Sequence, residues 1–189
     1  MNETHDNSLD EIIQGCLGKK TKFQELLYKR FFGYAFKIAL IHNKDRDNAL
    51  EIVNDSFVKV FSQIGKYDTT LPFGTWLGRI VINTSIDRFR KENRGMLTEE
   101  ADKVIIPDNS PGIVNELSAQ DILSLLNHLP GIHRMVFSLY EIDGYSHEEI
   151  ASMLKIPESS SRVYLTRAKK RLRELFELFF NAGYEKFGN

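Results

Sequence analysis

At 189 residues, with 42% apolar and 27% charged side chains and a formal net charge of -1, the chain fits neither a disorder-dominated nor a fibrous protein. It has room for one large domain or two small ones. The opening MNETHDNSLD is polar and acidic, without the basic and apolar regions of a secretory leader. No later run approaches a membrane span, so a cytoplasmic protein with no membrane insertion is expected.

Helical periodicity begins almost at once. A capping box at Ser8 and Glu11 opens a first helix whose stripe is Leu9, Ile12, Ile13, Cys16 and Leu17, and Gly15 and Gly18 weaken its end. The lone Cys16 cannot form an internal disulfide and reads as a small hydrophobe. A second helix is predicted from a Thr21–Gln24 box, carrying Phe23, Leu26, Leu27, Phe31, Tyr34, Ile38 and Ile41, until Asn43, Lys44 and Asp45 break it. In the third, Ala49, Ile52, Val53, Phe57, Val60, Phe61 and Ile64 repeat at three and four, and Gly65 is the expected stop. The fourth starts near Pro72 and buries Phe73, Trp76, Leu77, Ile80 and Thr84. Its end is basic: Arg79, Arg88, Arg90, Lys91 and Arg94 outnumber Asp87 and Glu92. That charge suits either the helix dipole or nearby phosphates.

Between residues 95 and 116 the pattern lapses into Pro107, Pro111, Gly112 and an acidic bias, which predicts a flexible linker. Helical pattern resumes at Leu117 or Ser118, with Ile122, Leu125, Leu126 and Leu129 as a core stripe ended by Pro130 and Gly131. A further helix over about 132–141 leads to a turn at Asp143 and Gly144.

Residues 145–172 are the most informative. Ser146 and Glu149 form a capping box, and Ile150, Ala151 and Leu154 give a short helix one apolar face. Lys155, Ile156 and Pro157 interrupt it, after which Glu158, Ser159 or Ser160 can cap a second helix anchored by Leu165, Ala168, Leu172 and Leu175. Its other faces carry Arg162, Tyr164, Thr166, Arg167, Lys169, Lys170, Arg171 and Arg173. From Lys155 to Arg173 seven basic residues face the single acid Glu158, although the whole chain is almost neutral. Concentrated positive charge on a helix-turn-helix is the footprint of a DNA-binding surface. The five histidines fall on different elements without ligand spacing, and no phosphate loop, nucleophile elbow or carboxylate pair is present. No cofactor or metal is expected, and catalysis by this chain alone is not.

Two basic helical modules joined by an acidic tether resemble the extracytoplasmic-function sigma factors of the sigma-70 family of bacterial RNA polymerase. In the first module, EIVNDSFVKVFSQI resembles the family's core-polymerase-binding helix and PFGTWLGRIVINTSIDRFRKENR its promoter-melting helix. In the second, the Leu129-Pro130 step, the helix-turn-helix and the run from Arg167 to Leu172 are similar to the minus-35 recognition domain. The resemblance implies an all-α protein of two small domains: 1–94 for polymerase binding and minus-10 melting, a linker at 95–116, and a homeodomain-like or winged-helix-like helix-turn-helix domain at 117–189. It also implies core RNA polymerase and promoter DNA as partners, with an anti-sigma factor as a further one.

Site residues carry over by position. Minus-35 contacts are expected from Ser159, Ser160, Arg162, Tyr164, Thr166, Arg167 and Lys170. For the minus-10 element they are Lys66, Tyr67, Asn83, Asp87, Arg88, Arg90 and Lys91, where the loop at 65–71 would pocket a flipped base and Asn83 would contact it. Trp76 matches a family aromatic, but its place on the apolar stripe assigns it to the core. Polymerase docking falls to Glu51, Asn54, Asp55 and Lys59. The chain departs from the family at Lys155, where Gly is common, at Ser161, in place of an apolar residue, and at Tyr164, in place of a basic one. A left-handed Lys155 would cost about 1 kcal/mol, unless another type of turn avoids it. A free-standing helix-turn-helix regulator and a nucleic-acid-processing enzyme are the competing readings.

Overall fold

A computed structural model describes residues 7–93 and 119–184, with side chains over 7–93 and 120–178. The tether predicted at 95–116 lies outside the described residues, as does Arg94. Among those described, regular structure is helical: α1 Leu9–Leu17, α2 Thr21–His42, α3 Arg46–Gln63, α4 Phe73–Glu92, α5 Ala119–Asn127, α6 Gly131–Phe137, α7 His147–Leu154 and α8 Glu158–Tyr184. The chain divides into two compact units, one of Met1–Leu40 with Asp45–Asp87, the other of Ile41–Lys44 with Arg88–Asn189.

In the first unit the anticipated stripes form one core of Ile12, Ile13, Cys16, Leu27, Ile52, Val53, Phe57, Val60, Ile64, Phe73, Leu77 and Val81. Ser8 closes the box that opens α1, its hydroxyl accepting from the Glu11 amide at 3.2 Å while its own amide donates to Glu11 Oε2 at 3.2 Å. Gly15 is required where α1 meets α2, because a Cβ there would stand 2.1 Å from the Phe23 ring. Thr21 lies inside α2 instead of capping it, and the Lys20 carbonyl receives the Phe23 and Gln24 amides. At the start of α3, Asp45 Oδ1 accepts from the amides of Asp47 and Asn48 at 2.7 and 2.9 Å. Gly65 does not stop the chain as expected but continues it as a 3-10 turn, Ile64–Lys66. Buried hydroxyls on these helices satisfy themselves one turn back: Ser56 on Ile52 O, Thr84 on Ile80 O and Ser85 on Val81 O. Burial holds the Cys16 thiol above its usual range, as suits a packed hydrophobe.

In the second unit α6 and α7 both pack on α8, around buried Met135, Val136, Leu139, Ile150, Leu154, Leu165 and Ala168. Ile122, placed on the core stripe by periodicity, is instead 49% exposed, and Leu126 of α5 packs with Leu129, just beyond its end, against Ala168 of α8. Arg134 is buried, and its guanidinium donates to the Ile41 carbonyl at 2.8 Å and to Asn127 Oδ1. Desolvation pulls its pKa down to about 10. The α-helix expected to reach residue 141 ends at Phe137 and widens into a π-turn, Ser138–Ile142, with the Asp143 amide on the Ser138 carbonyl at 3.0 Å. Gly144, at φ +78°, then reverses the chain.

The helix-turn-helix corner adopts the strained alternative. The Ser146–Glu149 box opens α7, and Lys155 closes it at φ 57° and ψ 47°, in the left-handed region. Hydrogen bonds from Ser146 hold the Glu149 carboxyl below its usual range. Because Lys155 is exposed, its replacement by glycine removes the Cβ strain and little else. Lys155→Gly is expected to raise stability by about 1 kcal/mol, read as a higher midpoint in denaturant at an unchanged slope.

Candidate functional site

On α8, Ser159, Arg162, Val163, Thr166, Lys170 and Arg173 recur three and four apart and are all exposed. Opposite them Ser161, Leu165, Ala168 and Leu175 are buried, so burial selects which side of the helix is outward. Arg167 is exposed at the border of the stripe, whereas Ser160 and Tyr164 are half-buried. The Tyr164 ring sits 5.4 Å from that of buried His133, which turns it away from the exposed face. Arg162 is paired with Glu158 at 2.5 Å, and the Thr166 hydroxyl donates back to the Arg162 carbonyl at 2.9 Å. An exposed pair of this kind is worth under about 1 kcal/mol and yields readily to a stronger anion.

Behind that stripe lies a polar junction that sequence reasoning missed. His147 Nδ1 is 3.0 Å from the hydroxyl of fully buried Ser161, and the His147 ring stacks on Tyr140 at 4.5 Å. Farther along α8, Lys169 pairs with Glu141 at 2.7 Å, its ammonium 6.0 Å from the Tyr140 ring. A serine on an apolar stripe was the available signal, since a buried hydroxyl needs a partner. Burial, with Arg162 and Lys169 against the opposing Glu158, pulls the His147 pKa below 6.5. Its neutral ring is therefore the form the fold favours, and that stability is present above pH 6.5 and lost as pH falls through the lowered pKa. Between pH 7 and 5 the melting temperature of the wild type should thus fall more than that of His147→Phe. Comparing the two isolates this imidazole from the other histidines.

The loop at residues 65–71 is internally braced. Asp68 Oδ1 accepts from the Thr70 amide at 2.9 Å and its hydroxyl at 2.7 Å, which holds the carboxyl below its usual range. The Tyr67 hydroxyl donates to the Leu71 carbonyl at 2.5 Å, and its ring packs 5.3 Å from both Phe73 and Trp76. Burial, then the charges of Asp10 and Asp68, raise the Tyr67 phenol. Tyr67, expected as a minus-10 contact, thus braces the loop with both its hydroxyl and its ring. Trp76 packs on the core, as the stripe implied. Lys66 is exposed at the end of the 3-10 turn, and Asn83 is exposed on α4. Farther along α4, Arg88 pairs with Glu92 at 3.0 Å, Arg90 is half-buried and Lys91 is exposed.

On α3, Glu51, Asn54 and Asp55 are exposed along one edge, joined by Val58, which periodicity leaves off the core stripe. The Tyr28 hydroxyl donates to Asn54 Oδ1 at 3.0 Å and so orients the amide outward. Lys59 turns instead toward α4, donating to Thr84 Oγ1 at 3.1 Å and reaching Asp87 at 3.3 Å. Lys59 and Asp87, assigned from sequence to two different surfaces, are brought together as a brace between α3 and α4. Among the described residues no group of three His, Cys, Asp or Glu side chains could hold a metal ion, and no helix is long and apolar enough to cross a membrane.

Residues 25–95 match the family model for sigma-70 region 2, and residues 119–172 that for sigma-70, region 4, together more than half of the chain. The ECF RNA polymerase sigma-E factor of Salmonella typhimurium is 28% identical over 134 residues, which is 65% of this chain and 70% of the relative. The ECF RNA polymerase sigma factor SigE of Mycolicibacterium smegmatis is 27% identical over 144 residues, 74% of this chain and 56% of the relative. Among solved structures, the sigma factor RpoE of Bartonella quintana, in complex with the anti-sigma factor NepR, is 21% identical with a TM-score of 0.49, covering 81% of this chain and 96% of that one. The chain belongs to the sigma-70 family of RNA polymerase sigma factors, in its extracytoplasmic-function group. Its function is that of a sigma factor, promoter-directed initiation of transcription.

Proposed function

We propose that this chain binds core RNA polymerase in the cytoplasm as a dissociable specificity subunit and directs it to promoters by reading a minus-35 element and melting a minus-10 element. The single observation that carries the minus-35 assignment is the exposed stripe Ser159, Arg162, Thr166, Lys170 and Arg173 on a helix whose opposite side is buried. Such a stripe presents guanidinium, ammonium and hydroxyl donors together, the set that reads base edges and phosphates in a major groove.

Roles are distributed as follows. Residues 1–94 serve polymerase binding and strand opening, 95–116 tether the two domains, and 117–189 bind the minus-35 duplex. Glu51, Asn54, Asp55 and Val58 form the docking edge, and Lys59 supports it from behind. Lys66, Asn83, Arg88, Arg90 and Lys91 supply charge and hydrogen bonds for unpaired minus-10 DNA, with Tyr67 bracing the loop and Asp87 holding Lys59. An anti-sigma factor that covers the docking edge would hold the protein inactive. We assign the chain no catalytic step.

The test is reconstitution. Core polymerase mixed with the purified chain should yield promoter-specific transcripts with mapped start sites that core alone does not make. No association, with start-site choice unaltered, would refute the proposal.

A further inference from the structure

The recognition helix must present its stripe at one fixed rotation about its own axis, since a base edge is read by hydrogen bonds that tolerate only small displacements. Apolar packing of Leu165, Ala168 and Leu175 limits that rotation without giving it direction, because hydrophobic contact is non-directional. A directional contact stands at the N-terminal end of α8. Ser161, fully buried and next to Arg162, shares a 3.0 Å hydrogen bond with His147 Nδ1. His147 is in turn held by Tyr140, whose ring lies 4.5 Å away on the preceding π-turn. Three elements, the π-turn, α7 and α8, therefore meet at one imidazole. Lys169 and Glu141, 2.7 Å apart, make a second tie between α8 and that π-turn, two turns farther along.

We propose that His147 is a positioning residue for promoter recognition, setting the rotation of α8 through Ser161 without itself touching a base. This rests on the reading of α8 as the minus-35 helix. A lost His147–Ser161 bond leaves the apolar contacts in place, so the helix stays docked and folded. It loses the constraint that aims Arg162 and Thr166, and discrimination between bases falls more than affinity for DNA. The groups that face the imidazole are Arg162, Glu158 and Lys169 on α8 and Tyr140 on the π-turn. The two cations favour the neutral ring, the form whose Nδ1 can accept the Ser161 hydroxyl proton.

The test uses holoenzyme reconstituted with wild-type chain, Ser161→Ala, His147→Phe, the double variant and Arg162→Ala. Each is titrated with promoter duplexes that are matched or singly substituted in the minus-35 element. Melting of the free full-length chain is recorded alongside. His147→Phe keeps the stack on Tyr140 and cannot bond to Ser161, so it folds if the alanine variant does not. Each single variant should lose about tenfold in discrimination, the factor carried by one hydrogen bond, and the double variant no more than either alone. Unchanged discrimination in the two single variants, with Arg162→Ala impaired, overturns the positioning role alone. Unchanged discrimination in all three overturns the minus-35 reading as well. Losses that multiply in the double variant, or a fall in affinity uniform across sequences, also overturn the positioning role, the latter by making His147 a phosphate contact.

Discussion

Val58→Lys is expected to weaken holoenzyme formation severely while leaving the chain folded. Val58 is 68% exposed on α3, so its substitution disturbs no core packing, and an isolated exposed valine is ordinary on any surface. What distinguishes this one is its setting. Glu51, Asn54 and Asp55 precede it at helical spacing on the same edge, the pattern of an apolar centre inside a polar rim that protein interfaces display. A lysine at such a centre would be desolvated on docking without a designed partner, a penalty in the range of interface hot spots. Affinity for core polymerase should drop on the order of a hundredfold, as followed by fluorescence titration, with the melting temperature unchanged. Undiminished association would remove this edge of α3 from the docking surface.

Asn83→Ala should leave minus-35 duplex binding intact and cripple strand opening. Asn83 is exposed on α4 with Arg79 and Asp87 one turn to either side, and Lys59 draws Asp87 toward α3. Alanine is the better helix former, so a folding defect cannot account for lost activity. Removal of hydrogen bonds to an unstacked base costs roughly 1–3 kcal/mol, a factor on the order of ten to a hundred in open complex. Permanganate reactivity of minus-10 thymines reports it directly. Normal reactivity would take Asn83 out of the site and leave strand opening to the basic end of the helix.

The two surfaces are tied by one small brace. Lys59 and Asp87 are 38% and 63% exposed, so their pairing contributes little to stability. Its effect is geometric, because it registers α3 against α4, the two helices proposed for docking and for strand opening.

What could be read from sequence follows the range of the forces involved. Both verified capping boxes, Ser8–Glu11 and Ser146–Glu149, join groups three residues apart and depend on nothing distant. The core stripe of α3 and the buried side of α8 were legible because burial imposes helical periodicity on the residues that satisfy it. Ile122 obeyed the same periodicity and is exposed, since a pattern names a stripe but not how far the neighbouring helices cover it. The π-turn at Ser138–Ile142 was beyond local reasoning for a similar cause, and the left-handed Lys155 was legible only as one of two alternatives. Each is a conformation that propensity opposes and packing imposes.

The site divides along the same line. Residue types and spacing were enough to mark α8 as the basic second helix of a helix-turn-helix, because the charge concentration from Lys155 to Arg173 is a property of the chain itself. Which side of that helix faces outward required the packing that buries Ser161, Leu165, Ala168 and Leu175. Tyr164 against His133, Lys59 with Asp87 and Ser161 with His147 each join residues on different elements. By itself the sequence determined the helices, their caps and the sign of their charge, through interactions within a turn or two of chain. Only tertiary structure decided partners across elements, because direction and distance between two helices arise from the packing of all their neighbours at once.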